Sequence, residues 1–168
     1  YGLALKTANF FQMIPVAIVA VFGVRLGRKD LGSEKKPLLQ LSILMLAVCC
    51  FQAMLGEFWG RELLLLISRG KLLPAEVEPV FKVFRLQMMG VLILCMTHPL
   101  TTFLSARARL EQIFLWVNLP WLIMSAAIYG LLATNPLSAA EANIWVYLAY
   151  AILILIAGRK AWTTQSGF

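Results

Sequence analysis

FRLQMMGVLILCMTHPLTTFLSARARLEQIFLWVNLPWLIMSAAIYGLLAT, residues 84–134, is the stretch of the chain that decides the fold. It holds two long apolar segments, 86–105 and 112–134, and neither contains a formally charged residue. The hydrocarbon core of a bilayer is roughly 30 Å thick, so a helix that crosses it needs about 20 mostly apolar residues. Both segments have that length, and neither shows the polar face that a water-exposed helix has at helical period. We therefore predict two transmembrane helices joined by a short basic turn.

The composition of the whole chain also indicates a membrane protein. Of its 168 residues, 61% are hydrophobic and only 14% are charged. So few polar residues cannot cover the surface of a water-soluble domain of this size. The net charge of +7 comes from residues that flank apolar segments, where they anchor helices to lipid headgroups. We therefore expect membrane lipids as partners and no nucleic acid.

The other apolar segments bring the number of predicted spans to five. We predict an all-α fold, a polytopic transmembrane helical bundle that forms a single integral membrane domain over residues 1–168. The alternative has four spans, with the first or the last segment peripheral. The connection 60–85 alternates charged with apolar residues and contains prolines, so we expect short interfacial helices there. The predicted spans are at about 7–24, 37–59, 84–105, 112–133 and 139–158.

Local signals predict where two helices start or stop. Ser138 and Glu141 have the spacing of a capping box, which predicts the start of the fifth span. Gly70 follows an apolar run and can end the helix before it.

The end of the second span contains two pairs of residues at a spacing of four. Glu57 and Arg61 lie on one helical face, which predicts an ion pair within the helix. Gly56 and Gly60 have the GxxxG spacing that lets two helices approach closely. A single match of this kind is weak, and we interpret it as coincidence.

Lysine and arginine are distributed unequally over the two sides of the predicted bundle. With the N-terminus outside, the inner side receives nine of these residues and the outer side six. Basic residues accumulate on the inner side of membrane proteins. We therefore predict a multi-pass membrane protein with its N-terminus outside and its C-terminus inside.

His98, the only histidine, lies in the middle of the third span directly before Pro99. An ionisable residue at this depth is costly and is a functional candidate by default. In a structural interpretation, the imidazole hydrogen-bonds to carbonyl groups that Pro99 frees, or to another helix. In the other interpretation, a neutral ring nitrogen ligates a haem iron or a chlorophyll magnesium. His98 is thus a candidate cofactor-binding residue.

Asn118 is the second candidate cofactor-binding residue. It precedes Pro120 by two positions in the fourth span, so it is a polar group at a predicted kink. The third and fourth spans are antiparallel, and His98 and Asn118 fall at similar distances from the turn that joins them. We therefore predict a contact between the two side chains.

The sequence contains no motif of an established catalytic site. Signatures of nucleotide-binding loops, zinc proteases and serine hydrolases are absent, and the spans hold no pair of carboxylates. The three cysteines lie within apolar segments, where a thiol usually behaves as a small hydrophobic group. We predict no catalytic and no metal-binding residues.

Abundant apolar surface without catalytic motifs favours a non-catalytic accessory or structural subunit of a larger membrane complex. The expected types of complex are respiratory, photosynthetic and translocation complexes, with a lipid, quinone or pigment contacting the His98 region. The expected partners are other transmembrane subunits or further copies of the chain. The alternative is a small transporter or channel component with a polar path near His98 and Asn118.

Overall fold

The computed structural model describes residues 2–26, 35–107 and 110–165. Arg28 and Lys29 of the first basic loop and Arg109 of the hairpin turn lie outside the described residues. The helices are α1 (Gly2–Leu26), α2 (Lys35–Ile67), α3 (Pro74–Arg107), α4 (Leu110–Ile113), a π-helical turn (Phe114–Asn118), α5 (Leu119–Leu132) and α6 (Pro136–Gln165).

Five segments of the described chain are long and apolar enough to cross a bilayer. The fourth of them combines α4, the π-helical turn and α5. This confirms the predicted all-α class with five spans and identifies a multi-pass integral membrane protein. The segments are Gly2–Gly23, Lys36–Ile67, Pro74–Ser105, Glu111–Leu132 and Pro136–Lys160.

The connection between the second and third spans differs from the prediction. α2 continues to Ile67 and α3 begins at Pro74, so residues 60–85 form the ends of two long helices and not interfacial helices. Pro74 occupies the first helical position, where a missing N–H group has no cost. Glu76 accepts a hydrogen bond from the backbone N–H of Leu73 at 3.0 Å, which caps the same helix end. The proline therefore starts α3 and does not interrupt it.

A left-handed turn closes the C-terminal end of α2. Arg69 and Gly70 have φ angles of 55° and 70°. Their N–H groups donate to the carbonyl oxygens of Leu66 and Leu65 at 3.0 and 3.1 Å. These bonds satisfy two of the carbonyl groups that the last helical turn leaves without partners. The predicted end near Gly70 is confirmed.

α6 begins three residues before the predicted start of the fifth span. Its cap is Asn135, whose Oδ1 accepts hydrogen bonds from the N–H groups of Leu137 and Ser138, both at 2.9 Å. In return, Oγ of Ser138 accepts a hydrogen bond from the N–H of Asn135 at 3.0 Å. The predicted capping box of Ser138 and Glu141 is therefore wrong, because Ser138 already closes the box with Asn135.

α3 is the central helix of the bundle. α1, α2 and α6 all pack against it, whereas α5 packs mainly against α6. In the most apolar stretch of each span, 50% is buried inside the protein for the third span and only 6% for the fourth. The fourth span is therefore peripheral, with most of its surface facing outward.

The C-terminal ends of α1, α3 and α6 lie on the same side of the bundle. Gly23 lies next to Thr102, so α1 and α3 end together. Gly158 lies next to Leu100, which places the end of α6 at the same level. The three helices are thus parallel, as expected when α2 and the fourth span return between them.

Gly56 and Gly60 form the close contact between α2 and α3. Both are buried. A Cβ atom at Gly60 would lie 2.7 Å from ring atoms of Phe81 and Phe84, and one at Gly56 would lie 3.1 Å from the end of Met88. The interpretation of this GxxxG spacing as coincidence is therefore wrong, because the missing side chains let the aromatic rings reach the α2 backbone.

The ion pairs at this end of the bundle connect α2 with α3. Arg61 pairs with Glu78 at 2.9 Å, and Glu57 pairs with Arg85 at 2.8 Å. The predicted Glu57–Arg61 pair is therefore wrong, because each partner finds an opposite charge on α3. Both guanidinium groups also lie over the ring of Phe81, 4.9 and 5.9 Å from its centroid. Since the charged side chains are about half exposed, each pair contributes only about 0–1 kcal/mol.

Candidate functional site

His98 lies within α3 and is half-buried. Its Nε2 atom is enclosed and has no hydrogen-bond partner in the described parts of the chain. Nε2 of His98 therefore makes no hydrogen bond to a carbonyl group that lacks its usual donor because of Pro99. A haem iron or a chlorophyll magnesium would need an open approach to Nε2, so the surrounding side chains would have to move. The role of His98 as a cofactor ligand stays a prediction.

The threonines around His98 hydrogen-bond to the backbone of α3 itself. Thr97 donates to the carbonyl of Leu94 at 2.6 Å, and Thr101 donates to that of Thr97 at 2.7 Å. Thr102 donates to the carbonyl of His98 at 2.8 Å. Such bonds back to the preceding turn are common for threonine within helices. Thr97 and Thr102 thus bond within α3, whereas Thr101 also shares a side-chain hydrogen bond with Tyr150 of α6.

Asn118 ends the π-helical turn, in which the N–H of Leu119 donates to the carbonyl of Phe114, five residues back. Pro120 explains the turn, because its ring obstructs the carbonyl four residues earlier and it has no N–H to donate. The single wider π-helical turn before Pro120 avoids this steric clash. The Asn118 side chain is exposed, and its amide makes no hydrogen bond to the described residues.

Asn118 lines a groove of about 540 Å³ between α3, α5 and α6. Leu94, one helical turn before His98, lines the same groove, whereas His98 is not among the residues that line it. Since Nε2 of His98 is enclosed without a partner, this atom does not form the predicted contact with Asn118. The polar side chains that share the groove with Asn118 are Trp121, Tyr147 and Tyr150.

A buried polar cluster that the sequence analysis missed connects three helices. Asn143 of α6 donates to Oε1 of Gln87 on α3 at 2.7 Å. Oδ1 of Asn143 accepts a hydrogen bond from the hydroxyl of Tyr129 on α5. Gln87 and Asn143 are only 1% and 5% exposed. Since hydrocarbon offers no hydrogen bonds, these groups must pair within the protein, and the cluster sets the depth and rotation of the three helices.

Trp121 provides a second connection between α5 and α6. Its indole N–H donates to the carbonyl of Val146 at 3.1 Å. Its ring meets that of Tyr150 edge to face, with the centroids 5.4 Å apart. These contacts form the wall of the groove next to Asn118 and hold its shape.

Side chains that bind metals are dispersed over the bundle. Within the described ranges, no group of three or more His, Cys, Asp or Glu side chains could share a metal ion. Cys49 and Cys95 are buried and Cys50 is exposed, and all three are free thiols.

Comparison of the chain with models of protein families, with curated proteins and with solved structures finds no match.

Proposed function

We propose that this chain is a non-catalytic subunit of a larger membrane assembly, and that a transmembrane helix of another subunit packs along α5. The observation that carries the proposal is the exposed amide of Asn118. Asn118 lies seven residues after Glu111, where the span begins, and this corresponds to about 10 Å along the helix. Lipid tails offer no hydrogen bonds at that depth, and an unpaired amide costs several kcal/mol in hydrocarbon.

The apolar side chains of the fourth span do not distinguish a partner helix from lipid, because a helix that faces lipid alone would also be apolar. The exposed amide of Asn118 does distinguish a partner helix from lipid, because a neighbouring helix can supply a polar side chain or a free carbonyl group that a lipid tail lacks. The large apolar side chains exposed around Asn118 are Phe114, Leu115, Trp116, Leu122 and Ile123.

Asn118→Leu is expected to weaken association with the partner about three- to tenfold. This is the loss of one interhelical hydrogen bond, worth about 0.6–1.4 kcal/mol. The measurement is the native mass of the chain extracted in mild detergent, followed through a dilution series. Gln112→Leu is the matched control, because Gln112 is also an exposed amide on the fourth span but lies one residue after its start at Glu111, where headgroup water can pair with it. It should leave the dissociation curve unchanged.

A monodisperse monomer under the mildest extraction conditions would contradict the proposed subunit role. The transporter or channel alternative is favoured by the groove that Asn118, Tyr147 and Tyr150 line. Solute uptake by liposomes that contain only the purified chain, lost in His98→Ala, would support that alternative instead.

For the orientation we propose that the N-terminus is outside. The common side where α1, α3 and α6 end is the side to which nine of the fifteen lysines and arginines are assigned. In a chain with its cysteines replaced by alanine, Lys71→Cys should react with an impermeant maleimide added to intact cells. Lys160→Cys should react only after the membrane is permeabilised. The reverse pattern of labelling would overturn this orientation.

A further inference from the structure

A second groove lies between α1 and α2. Its volume is about 540 Å³, and its walls are mainly phenylalanine and leucine side chains. Along α2 it extends from Val48 to Leu66, a distance of about 27 Å at the rise of a helix. Gln52 is part of its floor, and Glu62 lines it nearer the C-terminal end of α2. We call this feature the α1–α2 groove.

Gln52 has a carbonyl oxygen without a donor. Its Nε2 donates to the backbone carbonyl of Phe11 at 2.7 Å, which fixes the orientation of the amide because a carbonyl oxygen can only accept. Oε1 is buried and has no hydrogen-bond partner in the described chain. Gln52 is only 1% exposed, so no bulk solvent compensates for the missing bond. Pro15 has no N–H to donate to the carbonyl of Phe11, so the amide of Gln52 takes that place, and its Oε1 is left as a buried acceptor without a donor.

The position of Gln52 limits which donors can reach it. Trp59, which we place at the headgroup level, lies seven residues further along α2, or about 10 Å. A polar lipid headgroup at the membrane surface is therefore too far away. A molecule that enters the hydrocarbon with a single small polar group can bring a donor to this depth.

The volume of the groove limits the occupant further. A small-molecule site typically measures about 300–1,000 Å³, and the groove, at about 540 Å³, lies within that range. The size thus fits a small apolar molecule.

We propose that the α1–α2 groove binds a membrane-soluble alcohol or quinol, an apolar molecule whose hydroxyl group donates to Oε1 of Gln52. The apolar body packs against the aromatic and leucine walls. Gln52 lines the groove and its Oε1 is buried, so a neighbouring side chain has to rotate to let the hydroxyl reach that atom. This site is separate from the Asn118 surface and does not depend on a partner subunit.

The test compares probes that differ only in the donor. Farnesol and farnesyl methyl ether compete with a diazirine-bearing farnesol for photocrosslinking to the full chain in phosphatidylcholine liposomes. Farnesol should compete about three- to tenfold better than the ether, as expected for one hydrogen bond. A decyl benzoquinol and its quinone form the second pair. If the quinol competes better than farnesol, the physiological class is a quinol, and otherwise it is an alcohol.

Three variants connect the binding to this groove. In Gln52→Leu, the advantage of farnesol over its ether should disappear while both still bind. Val48→Trp should abolish crosslinking of the probe, because the indole fills the groove that Val48 lines. Leu46→Trp is the matched control, since Leu46 is exposed on α2 but does not line the groove.

Equal competition by farnesol and its ether in the wild-type chain would overturn the proposal. So would crosslinks that map outside α1 and α2, or crosslinks that persist in Val48→Trp. These measurements decide the question even if Gln52→Leu does not fold.

Discussion

Gly60→Val is expected to lower the free energy of unfolding by about 2–3 kcal/mol, the largest effect of any single substitution that we predict. A Cβ at this position would lie 2.7 Å from ring atoms of both Phe81 and Phe84. Phe84 is fully buried and Phe81 nearly so, so neither ring can move into open space. α2 and α3 must therefore separate, which is the usual cost of overpacking a filled interface.

The matched control for this substitution is Gly130→Val. Gly130 is also a helical glycine, but a Cβ there meets nothing within 4 Å. Both variants change helix propensity equally, so the difference between them isolates the packing term. Unfolding in detergent micelles by added dodecyl sulfate, followed by circular dichroism, measures both. Equal losses in the two variants would show that the α2–α3 contact contributes little.

Asn143→Leu is expected to lower the free energy of unfolding by about 1–2 kcal/mol. The substitution removes the donor to Gln87 and the acceptor for the Tyr129 hydroxyl in one step. Water cannot replace either bond inside a membrane. Measured hydrogen bonds between transmembrane helices average about 0.6 kcal/mol and reach about 1.7 kcal/mol, which limits the expected loss.

Asn118→Leu provides the internal comparison for this cluster. It makes the same chemical change in a span, but the amide of Asn118 has no hydrogen bond within the described chain. Its effect on stability should be within about 0.5 kcal/mol. A double-mutant cycle of Gln87→Leu and Asn143→Leu then gives their coupling energy directly. A coupling near zero would contradict the assignment of this pair as a structural connection.

The errors in the sequence analysis concern the ends of helices and the partners of side chains. Interfacial helices were predicted at 60–85 because Pro74 and charged residues interrupt the apolar pattern there. Helices α2 and α3 nevertheless extend through most of this stretch, since Pro74 lies at a first helical position and the ion pairs join one helix to the other. Glu57 and Arg61 have the right spacing for each other, but α3 presents better partners.

The roles of His98 and Asn118 as cofactor-binding residues stay predictions. Asn118 lines a groove with Leu94 of α3, whereas Nε2 of His98 is enclosed without a hydrogen-bond partner in the described chain. The residues that pair inside the bundle, Gln87 and Asn143, were not identified, although each is an uncharged polar residue near an apolar run. Gln52 was not identified either, because the burial of its unpaired oxygen depends on how α1 packs against α2.

The sequence by itself determined that this chain is a helical, multi-pass membrane protein, because span length and hydropathy are properties of consecutive residues. Only the tertiary structure decided which polar groups are paired, which face of each helix is buried, and where the two grooves lie. Gln87 and Asn143 are 56 positions apart, and Gln52 and Phe11 are 41 apart. Such contacts depend on the rotation and depth of whole helices, and these are set jointly by close-packed glycines, aromatic rings and buried hydrogen bonds on different segments.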